Sequence, residues 1–224
     1  MKLYPLVVKL EDKICSLIGG GNQVHKKVLD LMEYSPKIFI FAETVSDSLQ
    51  DLINNNKKII WQKNIQYEIL LKSHLVFISD EPLIKNGQTS HTISLNEIHS
   101  AIKFCKKYAK LVCFLDQPHY CDFYNTHRYE KGPILVSIST TGAAPVIGNY
   151  IKKQLDQIIT DDLLLLTEFL SKYRSKIVSQ IRDYEKRKAF YEQILKNDFI
   201  NLLKNNEEEA LGKLLQYIIE FRDS

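Results

Sequence analysis

Three consecutive glycines form the segment of this chain best suited to binding chemistry. An apolar run at residues 14–18 leads into Gly19-Gly20-Gly21, and a segment that is compatible with a helix follows. A glycine turn that opens a helix lets the backbone approach a pyrophosphate, and the helix N-terminus favours the negative charge. We therefore predict that Gly19 makes the tight turn and that Gly21 allows the close approach. The glycines alone would also fit a tight turn with left-handed backbone conformation between a strand and a helix, without any ligand.

A carboxylate after the next apolar run strengthens the dinucleotide interpretation. Residues 38–41 are apolar, and Glu43 follows them at close to the spacing of about 20 residues expected for the acid that binds a ribose 2′-hydroxyl. Because such an acid repels a 2′-phosphate, Glu43 favours NAD over NADP. The third small residue of the glycine pattern is replaced by Val24, which would hold the helix and strand slightly further apart.

The order of the elements predicts an α/β fold with a Rossmann-like parallel sheet. Short apolar runs separated by helix-length segments are typical of strands buried on both faces of such a sheet; they occur at residues 14–18, 38–41, 58–61, 75–78 and 111–115. The stretch 80–94 is polar and contains Pro82 and Gly87, so we predict a loop there. Another strand at 134–139 leads to a small-residue turn and a helix near Pro145, and helical spacing continues to the end.

Asp116 is the carboxylate placed best for acid–base chemistry. It follows the last predicted strand of the sheet, at the carboxyl end where open α/β sheets bind ligands. There it could accept a proton while a hydride leaves to a nicotinamide. The alternative is that Asp116 merely shapes the turn before Pro118.

Composition limits the classes of partner. The chain has 224 residues and a formal net charge of +3, too small a charge to predict nucleic-acid binding. The aliphatic cluster from Leu163 to Leu166 is too short to span a bilayer, so we expect no membrane insertion. His119, His127 and Cys121 match no zinc signature, and we predict no resident metal. Cysteines without a disulfide pattern and a polar, Pro-containing start favour a cytoplasmic protein.

Several short motifs, taken in order, resemble a known enzyme family. These are the Leu3-Tyr4-Pro5-Leu6 start, the glycine turn, Glu43-Thr44, Leu115-Asp116-Gln117-Pro118, the segment 139–145 and Arg187-Lys188-Ala189-Phe190-Tyr191. Together they are similar to the precorrin-2 dehydrogenase and sirohydrochlorin ferrochelatase family, including the N-terminal half of sirohaem synthases. The resemblance implies a homodimer with a Rossmann domain at residues 1–115, a central α+β dimerisation region at 116–150 and a helical domain at 151–224.

The resemblance also implies an activity and a set of site residues. The activity is NAD-dependent oxidation of the tetrapyrrole precorrin-2 to sirohydrochlorin, with ferrous iron insertion in some members. By position, Asn22, Gln23, Glu43 and Thr44 would contact NAD and Asp116 would be catalytic. We further predict that the tetrapyrrole is contacted by Arg128, Ser139, Thr140, Thr141 and Gly142.

One alternative stays open from the sequence. Val24, Cys113 and Thr126 depart from the pattern of the family at positions near the expected sites. A non-catalytic NAD-binding regulatory module that retains the fold would tolerate such departures. Turnover of a tetrapyrrole distinguishes the two hypotheses, because both predict NAD binding.

Overall fold

The computed structural model describes residues 2–85, 88–141, 144–196 and 198–223. The chain divides into two compact units, residues 1–124 and residues 125–224, and each is described by itself below. The three predicted domains, 1–115, 116–150 and 151–224, stay a prediction.

The first unit alternates strands and helices. In chain order its elements are β1 (Ile14–Ile18), α1 (Asn22–Met32), β2 (Lys37–Phe41), α2 (Asp47–Asn55), β3 (Ile59–Gln62), α3 (Tyr67–Lys72), β4 (Leu75–Ile78), β5 (Leu83–Lys85), β6 (Gln88–Ser90), α4 (Leu95–Lys107) and β7 (Leu111–Phe114), followed by a short 3-10 helix at Pro118–Tyr120.

Five of these strands form a parallel sheet in the order β3-β2-β1-β4-β7. Its strands are apolar because helices cover both faces, and a hydrophobic cluster fills each side. Ile18 pairs in register with both Phe41 and Ile78, and Ile78 pairs with Phe114. The residues that follow β1, β2, β4 and β7 therefore lie along one edge of the sheet. From β1, the chain adds β2 and β3 on one side and then β4 and β7 on the other, so the strand order reverses between β1 and β4. This is the switch point at which such sheets bind ligands.

The segment 80–94 differs from the prediction of a loop. Within it, β5 and β6 pair as an antiparallel hairpin, with Leu83 opposite Ser90. Leu83 is buried, whereas the residues of β6 are exposed. Residues 86 and 87, which come between β5 and β6 in the sequence, lie outside the described part of the chain.

The second unit begins with a hairpin and continues as helices. Its elements are β8 (His127–Lys131), β9 (Ile134–Ile138), α5 (Pro145–Ile158), α6 (Asp161–Gln180), α7 (Tyr184–Lys196), α8 (Phe199–Asn205) and α9 (Glu207–Asp223). Gly132, at φ +54°, allows the tight connection between β8 and β9. The sequence did not predict β8 because it is mostly polar, with only Tyr129 buried.

A hydrophobic core holds the helices α6 to α9 together. Phe169, Phe190 and Phe199 are fully buried within it, and Leu214 and Ile218 contribute from α9. Thr160 caps α6 by accepting a hydrogen bond from the Leu163 N–H, and Asp161 and Asp162 place negative charge in its first turn. In the described ranges, no helix is both long enough and apolar enough to cross a bilayer.

Candidate functional site

The glycine turn between β1 and α1 is packed on two sides by backbone. Gly19 has φ +120°, and a Cβ there would collide with the carbonyl oxygen of Ser79. A Cβ on Gly20 would collide with the carbonyl oxygen of Thr44. The Gly20 N–H also donates to Thr92 Oγ1 at 3.0 Å. The turn therefore needs glycine for close packing as well as for its left-handed conformation.

The N-terminus of α1 already binds an anionic group of the protein. Gly21 is the N-cap residue and has no side chain that could cap the helix. Instead, the Gln23 N–H donates to Glu81 Oε2 at 2.7 Å, and a Cβ on Gly21 would lie 2.6 Å from the same oxygen. The Glu81 carboxylate thus occupies the position where a pyrophosphate oxygen would accept from this helix. The geometry fits a dinucleotide phosphate, provided that Glu81 moves aside.

Glu43 and Thr44 lie at the same edge of the sheet as the glycine turn. Both follow β2, and both are exposed. The Glu43 N–H donates to the carbonyl oxygen of Thr92 at 2.8 Å, which fixes the backbone and leaves the carboxylate in solvent. A ribose hydroxyl held by this acid is chemically consistent with the geometry.

Asp116 belongs to a tight turn that directly continues β7. The Gln117 N–H donates to the carbonyl oxygen of Phe114 at 3.1 Å, and Asp116, the third residue of this turn, has φ +63°. Asp tolerates the left-handed region better than most residues, at some cost in backbone strain. The side chain is exposed. Such strain at the ligand-binding edge of a sheet is typical of functional residues.

Side-chain hydrogen bonds connect Asp116 to the glycine-turn region. The Gln23 Nε2 donates to Asp116 Oδ2, and the Ser79 Oγ donates to Gln23 Oε1 at 2.7 Å. The structure therefore brings together Gln23, which was predicted, and Ser79 and Glu81, which were not. Asn22 is exposed at the first position of α1. Ser79 and Glu81 come just after β4, at the carboxyl edge of the sheet. This position is the only sequence signal that could have indicated them as site residues.

The residues predicted to contact the tetrapyrrole belong to the second unit. Ser139, Thr140 and Thr141 follow β9, where the Thr141 N–H donates to Ser139 Oγ at 3.2 Å and Thr141 has φ +53°. Arg128 lies on β8 with Nε 3.6 Å from Glu130 Oε2. Gly142 lies outside the described residues.

The four cysteines are free, and three of them are buried. Burial raises the pKa of the Cys15 and Cys105 thiols to about 11 and that of Cys113 to about 12, where the neighbouring Cys121 adds to the effect. Buried thiols of this kind are inert packing groups. Throughout the part of the chain that the structure describes, no three His, Cys, Asp or Glu side chains are grouped to hold a metal ion.

The parallel sheet, the glycine turn at its switch point and the acid after β2 define a Rossmann-type dinucleotide-binding fold. Residues 6–127 match the family model described as "Putative NAD(P)-binding", and residues 164–219 match "Sirohaem synthase dimerisation region". Because the first match covers more than half of the chain, this protein belongs to that NAD(P)-binding family. The resemblance found in the sequence is confirmed by both matches.

Curated relatives and a solved structure extend the comparison. The siroheme synthase of Nitrosococcus oceani is 24% identical over 96% of this chain and 43% of its own length. That of Blochmanniella floridana is 30% identical over 94% of this chain and 43% of its length. The chain thus spans less than half the length of these relatives. The structure of "SirC, precorrin-2 dehydrogenase" superimposes with a TM-score of 0.66 at 19% identity, covering 96% of this chain and 100% of that one. This likeness confirms the predicted fold.

Proposed function

We propose that this protein oxidises precorrin-2 to sirohydrochlorin with NAD in the synthesis of sirohaem. Family membership, the siroheme synthase relatives and the fold shared with a precorrin-2 dehydrogenase all support the proposal. The observation that carries it is the Asp116 carboxylate, which Gln23 holds at the sheet edge beside the glycine turn.

The first unit would supply the cofactor site. The turn at Gly19 and Gly21 and the N-terminus of α1 would hold the pyrophosphate, and Glu43 would bind the adenosine ribose. The negative charge of Glu43 favours NAD over NADP. When bound, NAD supplies the nicotinamide ring that accepts a hydride. Asn22 and Thr44 are proposed as further contacts because they flank these groups in the chain.

Asp116 would supply the acid–base chemistry. Oxidation of precorrin-2 by two electrons releases one hydride and one proton, so the site needs a group that accepts the proton. Asp116 is an exposed carboxylate at the carboxyl end of the sheet, where it can reach a bound substrate. General-base catalysis of this kind contributes roughly 10²–10⁴-fold to the rate.

The second unit would supply substrate contacts and the dimer interface. We propose that Arg128, Ser139, Thr140, Thr141 and Gly142 contact the tetrapyrrole, whose carboxylates suit an arginine and hydroxyl donors. A homodimer is supported by the match to a sirohaem synthase dimerisation region. It is also supported by exposed apolar residues of α5, namely Val146, Ile147, Tyr150 and Ile158.

A cytoplasmic location completes the proposal. All four cysteines are free, which suits a reducing compartment. Fractionation of the producing cells tests this location, and recovery from the membrane or an oxidising compartment would contradict it.

An anaerobic assay with precorrin-2 and NAD tests the proposed activity. Turnover gives sirohydrochlorin and NADH in equal amounts, and both are followed by absorbance. If the pure protein is stabilised by NAD against thermal unfolding but turns over no tetrapyrrole, the non-catalytic NAD-binding module is the correct alternative. Iron insertion stays a prediction of the family resemblance; adding ferrous iron to the same assay tests it through the formation of sirohaem.

A further inference from the structure

We infer that Gln23 is a positioning residue for Asp116 and that Ser79 fixes the orientation of the Gln23 amide. The inference rests on the proposed function, in which Asp116 accepts a proton. It gives Gln23 a different role from the cofactor contact predicted from the sequence. It also gives Ser79 a role that no motif indicated.

Ser79 is the fixed end of this arrangement. It is buried, and its N–H donates to the carbonyl oxygen of Ile18 at 2.9 Å, so that it extends the pairing of β1 with β4. Its hydroxyl accepts from the Glu81 N–H at 3.2 Å and donates to Gln23 Oε1 at 2.7 Å. The Ser79 hydroxyl thus acts as an acceptor towards Glu81 and as a donor towards Gln23.

The bond from Ser79 determines which end of the Gln23 amide faces Asp116. An amide oxygen accepts and an amide nitrogen donates, so an occupied Oε1 leaves Nε2 to donate to Asp116 Oδ2. The bond therefore holds the Asp116 carboxyl group in one place at the edge of the sheet.

The backbone N–H of Gln23 has a carboxylate partner of its own. Its N–H donates to Glu81 Oε2 at 2.7 Å, so Gln23 lies between two carboxylates, those of Glu81 and Asp116. The backbone N–H serves Glu81 and the side-chain amide serves Asp116, and because both groups are neutral, neither contact adds charge. Lys27, one turn further along α1, has its Nζ 2.8 Å from Asp30 Oδ2 and 5.4 Å from the centre of the Phe77 ring.

Asp116 needs the hydrogen bond from Gln23 because its own position on the surface does not restrict its side chain to one orientation. It is exposed and stands on a tight turn in the left-handed region, where an isolated carboxylate would sample several rotamers. A bond from a side chain anchored to the sheet removes most of that freedom. A loss of positioning typically lowers kcat and leaves the binding of remote groups unchanged.

A double-mutant cycle tests the inference. The variants are Gln23→Leu, Asp116→Asn and the double variant, each assayed in the full chain with precorrin-2 and NAD. We expect Gln23→Leu to lower kcat roughly 10-fold with the KM for NAD changed less than about 2-fold. In the Asp116→Asn background, the same substitution should change the residual rate less than about 2-fold, because Gln23 acts through Asp116.

Each contrary result has a distinct meaning. An Asp116→Asn protein as fast as wild type would overturn the proposed role of Asp116 and the inference with it. With Asp116→Asn impaired, a Gln23→Leu protein that raises the KM for NAD at unchanged kcat would make Gln23 a cofactor contact, and the inference fails alone. The inference likewise fails alone if the losses of the single variants multiply in the double variant.

Three further variants separate positioning from folding. Gln23→Glu keeps the length of the side chain but removes the donor and adds a third carboxylate, so we expect a larger loss in kcat than for Gln23→Leu. Ser79→Ala should lower kcat roughly 3-fold, whereas Ser79→Thr keeps the hydroxyl and should restore most of it. Equal rates for Ser79→Ala and Ser79→Thr would contradict the role of Ser79.

Discussion

The Gln23 N–H donates to Glu81 Oε2 at 2.7 Å, which places a carboxylate of the protein at the N-terminus of α1. This is the position at which the fold binds the pyrophosphate of a dinucleotide. Two anions cannot share one donor, so cofactor binding requires Glu81 to leave. The position of the Glu81 side chain, which follows β4, therefore depends on whether the cofactor is bound.

Neutralising Glu81 should therefore tighten NAD binding. We expect Glu81→Gln to lower the dissociation constant for NAD roughly 3- to 10-fold, because a competing charge is removed from the helix N-terminus. Isothermal titration calorimetry measures the change. Asp80→Asn is the matched control, since it removes the same charge one residue away. An equal effect of both variants would show that only the local charge matters, and not the contact with Gln23.

The parallel sheet could be predicted because the relevant signals are local. The apolar runs at 14–18, 38–41, 75–78 and 111–115 correspond to strands buried on both faces, and the glycine turn follows β1. The strand β8 and the hairpin of β5 and β6 could not be predicted in the same way. Both are mainly polar, and they are stabilised by pairing with a neighbour rather than by an apolar pattern of their own.

The site was predicted only in part for a similar reason. Gly19, Glu43 and Asp116 follow strand ends, a position that can be inferred from sequence order. Ser79 and Glu81 act through hydrogen bonds to Gln23, a residue more than fifty positions earlier in the chain. Such pairings depend on the parallel register of β1 with β4, which a single sequence does not give.

Two glycines offer a matched test of the close packing at the turn. Gly20→Ala should lower the free energy of unfolding by roughly 2–3 kcal/mol, because its Cβ would meet the Thr44 carbonyl oxygen in a well-packed site. Gly212→Ala should raise it by about 0.5–1 kcal/mol, since Gly212 lies inside α9 with open space around it. Urea unfolding followed by circular dichroism measures both. A Gly20→Ala protein as stable as wild type would contradict the described packing.

Glu43 should control the choice between the two nicotinamide cofactors. Glu43→Ala is expected to raise the KM for NAD about 10-fold, and Glu43→Arg should shift the preference towards NADP, whose 2′-phosphate an arginine can bind. Steady-state rates with each cofactor provide the measurement. Glu68→Ala, an exposed acid on α3, serves as the control. Unchanged cofactor preference in Glu43→Arg would place the ribose elsewhere.

The buried thiols predict a specific dependence on pH. Burial raises the pKa of Cys15, Cys105 and Cys113 from 9.0 to about 11 or 12. Between these pH values, the three thiols stay protonated in the folded protein, whereas they are ionised in the unfolded chain. The free energy of unfolding should therefore fall as the pH rises from about 9 to 11.

At pH 8, a thiol reagent should label the native protein at Cys121 alone, and Cys121→Ser should abolish that labelling. Rapid labelling of Cys113 in the native state would contradict the described burial.

The rate of the Asp116→Asn protein in the anaerobic precorrin-2 assay is the most direct test of Asp116 as the group that accepts the proton. Asn keeps the size of the side chain and tolerates the left-handed turn, so the fold and NAD binding should be retained. We predict that kcat falls roughly 10²–10⁴-fold while the dissociation constant for NAD changes less than about 2-fold. Turnover of precorrin-2 by Asp116→Asn at the wild-type rate would show that Asp116 is not the catalytic base.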